Sequence, residues 1–287
     1  GDPDIQRLAD AIDGVGLVTG TRAFHYFELH DDAWPLNGRE RAVRTIDTTF
    51  PHDDDFARDR TILGNGITLL SRGVPAILQG TEWLEDDGWE ANKIDWQHKT
   101  DYAGVFNLYS DLIGLRTTEE ALFADSFLSV IQANDGANVL VFERSSPDGV
   151  NFVIVANFSD TGFGSYDLGS PRGTAYEVVL NSEDPAYGGS GEGSFGFVTP
   201  DGPGMDGRPQ SMTVSLPARG LLVLRTSPDT GPACPTDFDG SGETGLDDLL
   251  TVLGAFVQSD AGDTDGDGQT GLDDLLAVLG AFGSACS

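Results

Sequence analysis

Basic residues are scarce in this sequence: 16 Lys and Arg stand against 47 Asp and Glu, a formal net charge of −31. Phosphate binding needs a basic face, so the balance argues against nucleic acid or anionic membranes as partners. It fits a neutral substrate, bound metal cations or a salty medium. Long apolar runs are missing too, since no uninterrupted stretch approaches the ~20 residues of a membrane span. The chain opens Gly1-Asp2-Pro3, without an initiator Met or a signal peptide, and is expected to be a processed product or a fragment. Cysteine is limited to Cys234 and Cys286, which bracket the last segment. That flanking position points to a disulfide, and with it an extracellular, periplasmic or cell-surface setting; two free thiols are the alternative.

What is present describes a globular chain. Apolar content is ordinary, and 287 residues suffice for two or three domains. Asp2-Pro3 reads as a helix start, and Ile5, Leu8, Ile12 and Val15 follow at helical spacing. Ala23 to Phe27 reads as a strand running into the acidic, aromatic loop Glu28 to Pro35. Ile62 to Leu70 reads as a helix, and Val74 to Leu78 as a strand buried on both faces. The loop from Gln79 to Trp89 then repeats the acidic, aromatic pattern. A helix, a strand and a polar loop at the strand's C-terminal end make one unit of an α/β sheet or barrel, where binding and chemistry sit at that end. Tyr102 to Arg116 is an amphipathic helix.

After Phe127 the period changes. Short β-type segments at 128–131, 139–142, 152–158, 176–180, 212–216 and 221–224 are separated by Gly, Asn, Asp and Pro turns, which predicts an antiparallel sandwich. The stretch 226–235 reads as a linker.

The tail carries an internal repeat. Asp237, Asp239, Ser241, Glu243 and Asp248 recur as Asp263, Asp265, Asp267, Gln269 and Asp274, with Gly242 and Gly268 at the sixth position of each loop. Oxygen side chains at positions 1, 3, 5 and 12 with glycine at 6 are the ligand spacing of an EF-hand calcium loop. Ca²⁺ takes six to eight hard oxygens, and the glycine permits the turn that points them inward. Two calcium ions are therefore expected, one per loop. Position 12 is Asp where the EF-hand pattern has Glu. Residues 227–287 hold twelve acids and no Lys or Arg, so without a cation self-repulsion should loosen the segment.

Each loop runs into Leu-Asp-Asp-Leu-Leu, and in this the tail resembles a dockerin. That resemblance implies a cohesin-like module as partner. The first 225 residues resemble the C-terminal half of the α-amylase superfamily, nearest to 1,4-α-glucan branching enzymes. The likeness rests on Tyr26-Phe27-Glu28-Leu29-His30-Asp31-Asp32, on Ser71 to Trp83, on Ile94-Asp95-Trp96, on Tyr109 to Arg116, and on Val155 to Ser159, Leu180 to Ser182 and Tyr187 to Gly191. It implies a multidomain chain. Residues 1–122 would be the last two strand–helix units of a (β/α)8 barrel and 123–226 a C-terminal all-β sandwich. A linker at 227–236 would lead to a small α-helical calcium-binding dockerin-like module at 237–287.

By the same resemblance Asp31 stabilises the transition state, and His30 hydrogen-bonds the sugar, with Glu82 and Trp83 as further α-glucan contacts. A fixed carboxylate in a dry site stabilises an oxocarbenium-like transition state. The family's nucleophilic Asp and acid/base Glu precede the segment matched here, so the isolated chain is expected to be inactive. The resulting expectation is the C-terminal portion of a secreted retaining enzyme acting on α-1,4-glucan by hydrolysis or by branching transfer. The alternative is a non-catalytic, calcium-dependent assembly or carbohydrate-binding protein.

Overall fold

The computed structural model describes residues 4–13, 23–49, 55–88, 93–147, 149–226, 236–238, 243–257, 259, 261–264 and 269–284. Cys234 and Cys286 lie outside them, as do most of the expected linker, Trp89 and the calcium-loop residues Asp239, Ser241, Asp265 and Asp267. The chain divides into two compact units, Gly1–Thr226 and Ser227–Ser287.

In the first unit, α1 (Ile5–Asp13), β1 (Phe24–Tyr26), α2 (Ala42–Ile46), α3 (Asp55–Leu70), β2 (Val74–Ala76), α4 (His98–Asp101) and α5 (Ala103–Thr118) precede an all-β region. Its strands are β3 (Phe127–Asn134), β4 (Val139–Ser145), β5 (Asn151–Asn157), β6 (Phe163–Ser170), β7 (Tyr176–Asn181), β8 (Phe197–Val198), β9 (Gln210–Leu216) and β10 (Leu221–Thr226). Six of them form an antiparallel sheet in the order β3-β4-β5-β10-β7-β8, and β6 pairs with β9 in a second, two-stranded sheet.

Alternation along the strands divides the apolar residues between two cores. On one face of the large sheet Leu140, Phe142, Phe152, Ile154, Leu221 and Val223 pack with α1, α3 and α5. On the other, Val141, Val153, Val155, Leu222 and Leu224 meet Leu168, Met212 and Val214 of the small sheet. The large sheet is thus covered by helices on one side and by strands on the other. This is why β5 reads as an unbroken apolar run and is buried along its whole length. One hydrophobic cluster also runs across the boundary expected at 122/123, from Ile5 to Val223.

Helix α3 is central to that cluster and is buried around most of its circumference. At Gly66 a Cβ would stand 2.5 Å from Leu221 Cδ2, so glycine is what lets α3 lie against β10. Two buried arginines then satisfy carbonyls at the end of α3, which no intrahelical donor reaches. Arg116 donates to Leu69 O at 3.1 Å, to Gly73 O at 2.5 Å and to Ser71 O. Arg144, on β4, donates to Leu70 O at 2.6 Å, Phe123 O at 2.5 Å and Phe127 O at 3.1 Å. Burial pulls the Arg144 guanidinium down to about 9, and nearby Arg116 and Arg72 add to the effect.

One local expectation falls outside the described residues, and one is corrected. Helix α1 has its first amides met by Asp135 Oδ1, 2.8 Å from Ile5 N, and by Asp4 Oδ1, 2.8 Å from Arg7 N; Asp2 lies outside the described residues. The apolar run after Gly73 forms a strand only over Val74–Ala76, and it is not buried on both faces: Val74 is 47% exposed. The reason is that its sheet has only two strands, β1 and β2, with no layer on that side among the described residues.

The second unit holds α6 (Leu246–Ala255) and α7 (Leu272–Ala281). Val252 and Val278, 26 residues apart, are buried at equivalent positions. Leu246, Leu250 and Leu253 of α6, and Leu272, Leu276 and Leu279 of α7, are exposed.

Candidate functional site

Strands β1 and β2 are parallel neighbours in the register Phe24↔Val74, His25↔Pro75 and Tyr26↔Ala76. Parallel strands release their following loops on the same side, and that geometry brings the two acidic, aromatic loops together. Glu28 is the buried link between them. Its Oε1 lies 3.0 Å from Arg41 Nη2 and 2.6 Å from Thr81 Oγ1, and its Oε2 accepts from Ala42 N at 2.7 Å. Arg41, also buried, donates to Thr81 Oγ1 at 3.0 Å and to Gln79 O at 3.1 Å. Burial pushes the neighbouring Tyr109 hydroxyl well above the usual tyrosine range, and Glu28 and Glu82 reinforce the shift. A pocket of about 240 Å³ opens beside the network, lined by His30, Arg41, Gln79, Glu85, Asp87 and Lys93 among others.

His30 lines this pocket, and its Nε2 is 3.3 Å from Asp31 Oδ1. The Asp31 side chain is 75% exposed and is not one of the pocket-lining residues. Its loop is held by Leu29 O, which accepts from Asp32 N at 2.9 Å and Ala33 N at 3.0 Å, and by the pair Arg39–Asp32 at 2.9 Å. Glu82 turns back on its own loop and accepts from Gly80 N at 2.8 Å. Trp83 is buried, 3% exposed, with its ring centroid 5.1 Å from Trp96 and 6.3 Å from Phe106. No face of Trp83 is free for a sugar, whereas Trp96 is 59% exposed. Glu85 is buried and accepts from Asp95 N at 2.8 Å, which ties the pocket wall to the segment before α4.

Sequence reasoning brings His30 to this place but passes over Arg41 and Glu85, and meets Thr81 only within the segment 71–83. Glu28 it sees only as a letter of a motif. An Arg or Glu in a polar stretch looks solvated until the partner supplied by another loop is known.

In the second unit the twelfth residue of each expected loop is a buried carboxylate aimed back into that loop. Asp248 Oδ1 accepts from Phe238 N at 2.6 Å and Oδ2 from Gly245 N at 2.7 Å. Asp274 repeats this with Thr264 N at 2.7 Å and Gly271 N at 2.6 Å. The donors sit at positions 2 and 9 of each loop, so the shorter Asp stands on the inner side of the loop where Glu is usual. Asp237, Glu243, Asp263 and Gln269 are also among the described residues. Hard oxygens only, inward position-12 carboxylates and no basic residue in 227–287 fit a calcium ion in each loop.

Residues 130–227 match the family described as alpha amylase, C-terminal all-beta domain. A 1,4-alpha-glucan branching enzyme of Rhodococcus jostii (strain RHA1) is 34% identical over 227 residues, which are 71% of this chain and 31% of that protein. Another, from Synechococcus sp. (strain RCC307), is 30% identical over 166 residues, 55% of this chain and 22% of the relative. The chain thus spans under a third of the length of these relatives. Among solved structures, a pullulanase from Anoxybacillus sp. LM18-11 complexed with maltotetraose superposes with a TM-score of 0.55 at 19% identity, covering 77% of this chain and 30% of that one. Pullulanase from Bacillus acidopullulyticus gives 0.55 at 21% identity, covering 79% and 27%. Among the described residues no helix is long and apolar enough to cross a membrane. The antiparallel β-region is thus similar to alpha-amylase C-terminal all-beta domains, and the branching-enzyme matches support an alpha-amylase-superfamily C-terminal part in this chain.

Proposed function

We propose that the first unit is the C-terminal portion of a retaining α-1,4-glucan hydrolase or transferase, contributing one wall of its glucan cleft. The observation that carries this is the convergence of two strand-end loops around the pocket that His30 lines, locked by the Glu28–Arg41–Thr81 network. His30 holds a sugar hydroxyl without adding a fixed charge. Asp31 supplies the carboxylate that stabilises positive charge developing on the ring once the rest of the cleft excludes water. Exposed as it is here, it is not in a dry site, and this agrees with a cleft whose nucleophile and acid/base come from preceding barrel units. Those units would extend the two-stranded β1–β2 sheet into a (β/α)8 barrel. Sugar contacts are assigned to His30, with Trp96 in place of Trp83 as the aromatic surface. Branching enzymes among the relatives and maltotetraose in a related fold support α-glucan as substrate class.

The second unit is proposed to be a dockerin-like module that takes two calcium ions and works outside the cytoplasm. Calcium would neutralise each carboxylate cluster and knit its loop, with Asp237, Glu243, Asp248, Asp263, Gln269 and Asp274 among the holding residues. The exposed leucines of α6 and α7 favour docking to a cohesin-like partner.

The glucan reading is tested by affinity electrophoresis of the chain through glycogen gels, alongside an iodine-stained amylose assay. The chain should be retarded by glycogen, lose that retardation with His30→Ala, and leave amylose undegraded. Migration indifferent to glycogen, or turnover by the isolated chain, would overturn it.

A further inference from the structure

A second concave surface of the first unit lies away from the pocket that His30 lines. Between α5 and β3 the chain turns through Glu120 to Ser126, and there a groove of about 460 Å³ is lined by Glu120, Phe123, Asp125, Phe127 and Ser145 among others. That volume falls within the roughly 300–1,000 Å³ of small-ligand sites. Gly73 N donates to Ala124 O at 2.9 Å, which ties the groove's rim to the residue before β2. The loops carrying Glu28, His30 and Glu85 leave the other ends of β1 and β2, so the groove stands at the opposite end of that sheet. Phe123 and Phe127 are 39% and 54% exposed, and Phe127 pairs with Ser145 in the β3–β4 register. The backbone beneath both rings is fixed by one buried group: the Arg144 guanidinium donates to Phe123 O at 2.5 Å and to Phe127 O at 3.1 Å. Ser126 closes the turn between them, donating its N–H to Phe123 O at 3.2 Å and its hydroxyl to Glu120 O.

The lining has the chemistry of a sugar contact. A pyranose ring presents an apolar C–H face and a rim of hydroxyls; the face packs on an aromatic ring, and the hydroxyls donate to carboxylates. Both kinds of group are present here. Among the described residues the Glu120 and Asp125 carboxylates have no hydrogen-bond or ion-pair partner, so their acceptor positions are free. No Lys, Arg or His lines the groove, and Arg144 behind it is already engaged by carbonyls, which excludes an anionic ligand. A purely apolar partner would leave both carboxylates desolvated and unpaired. We propose that this groove is a second carbohydrate-binding site, taking a neutral pyranoside chain apart from the His30 pocket. The pyranoside class follows from the groove's own residues; that the chain is α-1,4-glucan rests on the function proposed above. Holding Phe123 and Phe127 on one guanidinium lowers the ordering cost of binding, since the platform is set before the ligand arrives. Two weak sites on one polysaccharide particle then act together, so retention by glycogen depends on both.

Backbone-amide NMR titration of the whole chain with maltotriose tests this, because a short ligand reports on each site separately. The amides of residues 120–127 should shift in the parent and in His30→Ala alike. Phe123→Ala and Phe127→Ala should each weaken that response by about 2- to 10-fold, the value of one aromatic contact, and Phe127→Trp should restore it. Asp125→Ala, at an exposed residue with no partner to lose, should weaken it as well, so the test stands even if a Phe variant fails to fold. In glycogen gels each of these Ala variants should run ahead of the parent although His30 is intact. Shifts confined to the loops at 28–32 and 79–85 would overturn the second site and leave the glucan reading of the His30 pocket standing. Shifts at 120–127 alone would uphold the groove while that reading falls. Affinity at 120–127 unchanged by Phe123→Ala, Phe127→Ala and Asp125→Ala together would overturn the groove as the site of contact.

Discussion

Asp59 sits in a buried ionic cluster between α3 and the β-region, and its charge works against the fold. Its Oδ2 is 3.2 Å from Arg219 Nε and its Oδ1 3.5 Å from Arg58 Nη1; Arg58 Nη2 in turn is 3.3 Å from Glu183 Oε1. Asp160 shares Arg219 and Arg60, and Asp55 faces Arg58 from the same helix. Despite two cations, burial dominates and pushes the Asp59 carboxyl from 3.8 to about 6, with Glu183 adding to the rise. Between those values the folded state holds a proton that the unfolded chain has released, so stability falls as pH rises through this window. A shift of about two units corresponds to about 3 kcal/mol as an upper limit, fully expressed above pH 6. Asp59→Asn keeps an acceptor for Arg219 and removes the titration. Melting curves of the parent and the variant should therefore coincide near pH 4 and separate toward pH 7.5, with the variant higher. For a unit of this size, 1–3 kcal/mol corresponds to roughly 2–10 °C. Parallel curves from pH 4 to 8, or a variant less stable at pH 7.5, would show that the paired arginines more than offset desolvation.

Two further outcomes follow from single geometric features. Arg41→Met leaves the Glu28 carboxylate buried without its cation and should cost about 3–5 kcal/mol in urea unfolding; adding Glu28→Gln should recover much of that loss, and a loss unaffected by the second change would mean that Arg41 acts by packing alone. Val257 is a β-branched residue at φ +54 and 79% exposed, where the second repeat has Gly283 at φ +76. Val257→Gly relieves strain of about 1–2 kcal/mol against a chain-entropy cost of about 0.5–1, so the second unit should gain up to about 1 kcal/mol, read from its thermal midpoint in calcium.

Local pattern carried far in this chain. Short β-type apolar runs between turn residues marked most strands of the β-region, because each of those residues needs only a sheet face to enter, whichever layer covers it. The 26-residue repeat marked Asp248 and Asp274 as equivalent positions, since loop and helix there are contiguous in sequence. The two polar strand-end loops were legible for the same reason. Their joint site was not. Glu28, Arg41 and Thr81 meet only because β1 and β2 are parallel neighbours, and parallel pairing is a non-local event that spacing does not encode. Trp83 shows the limit from the other side: a tryptophan on a polar loop has the same signature whether it faces solvent or, as here, is buried against Trp96 and Phe106.

Composition, periodicity and repeat thus determined by themselves the strand-rich region, the acidic tail and its two equivalent sets of oxygen-bearing residues. Tertiary structure alone decided that α3 would be buried on most sides and that its end would be satisfied by Arg116 and Arg144. The physical reason is the same in each case. A residue's own chemistry sets what it requires, a partner, a cover or a neutralising charge. Only the folded chain brings the group that meets the requirement, here from 45 residues away for Arg116 and Ser71 and 74 for Arg144 and Leu70.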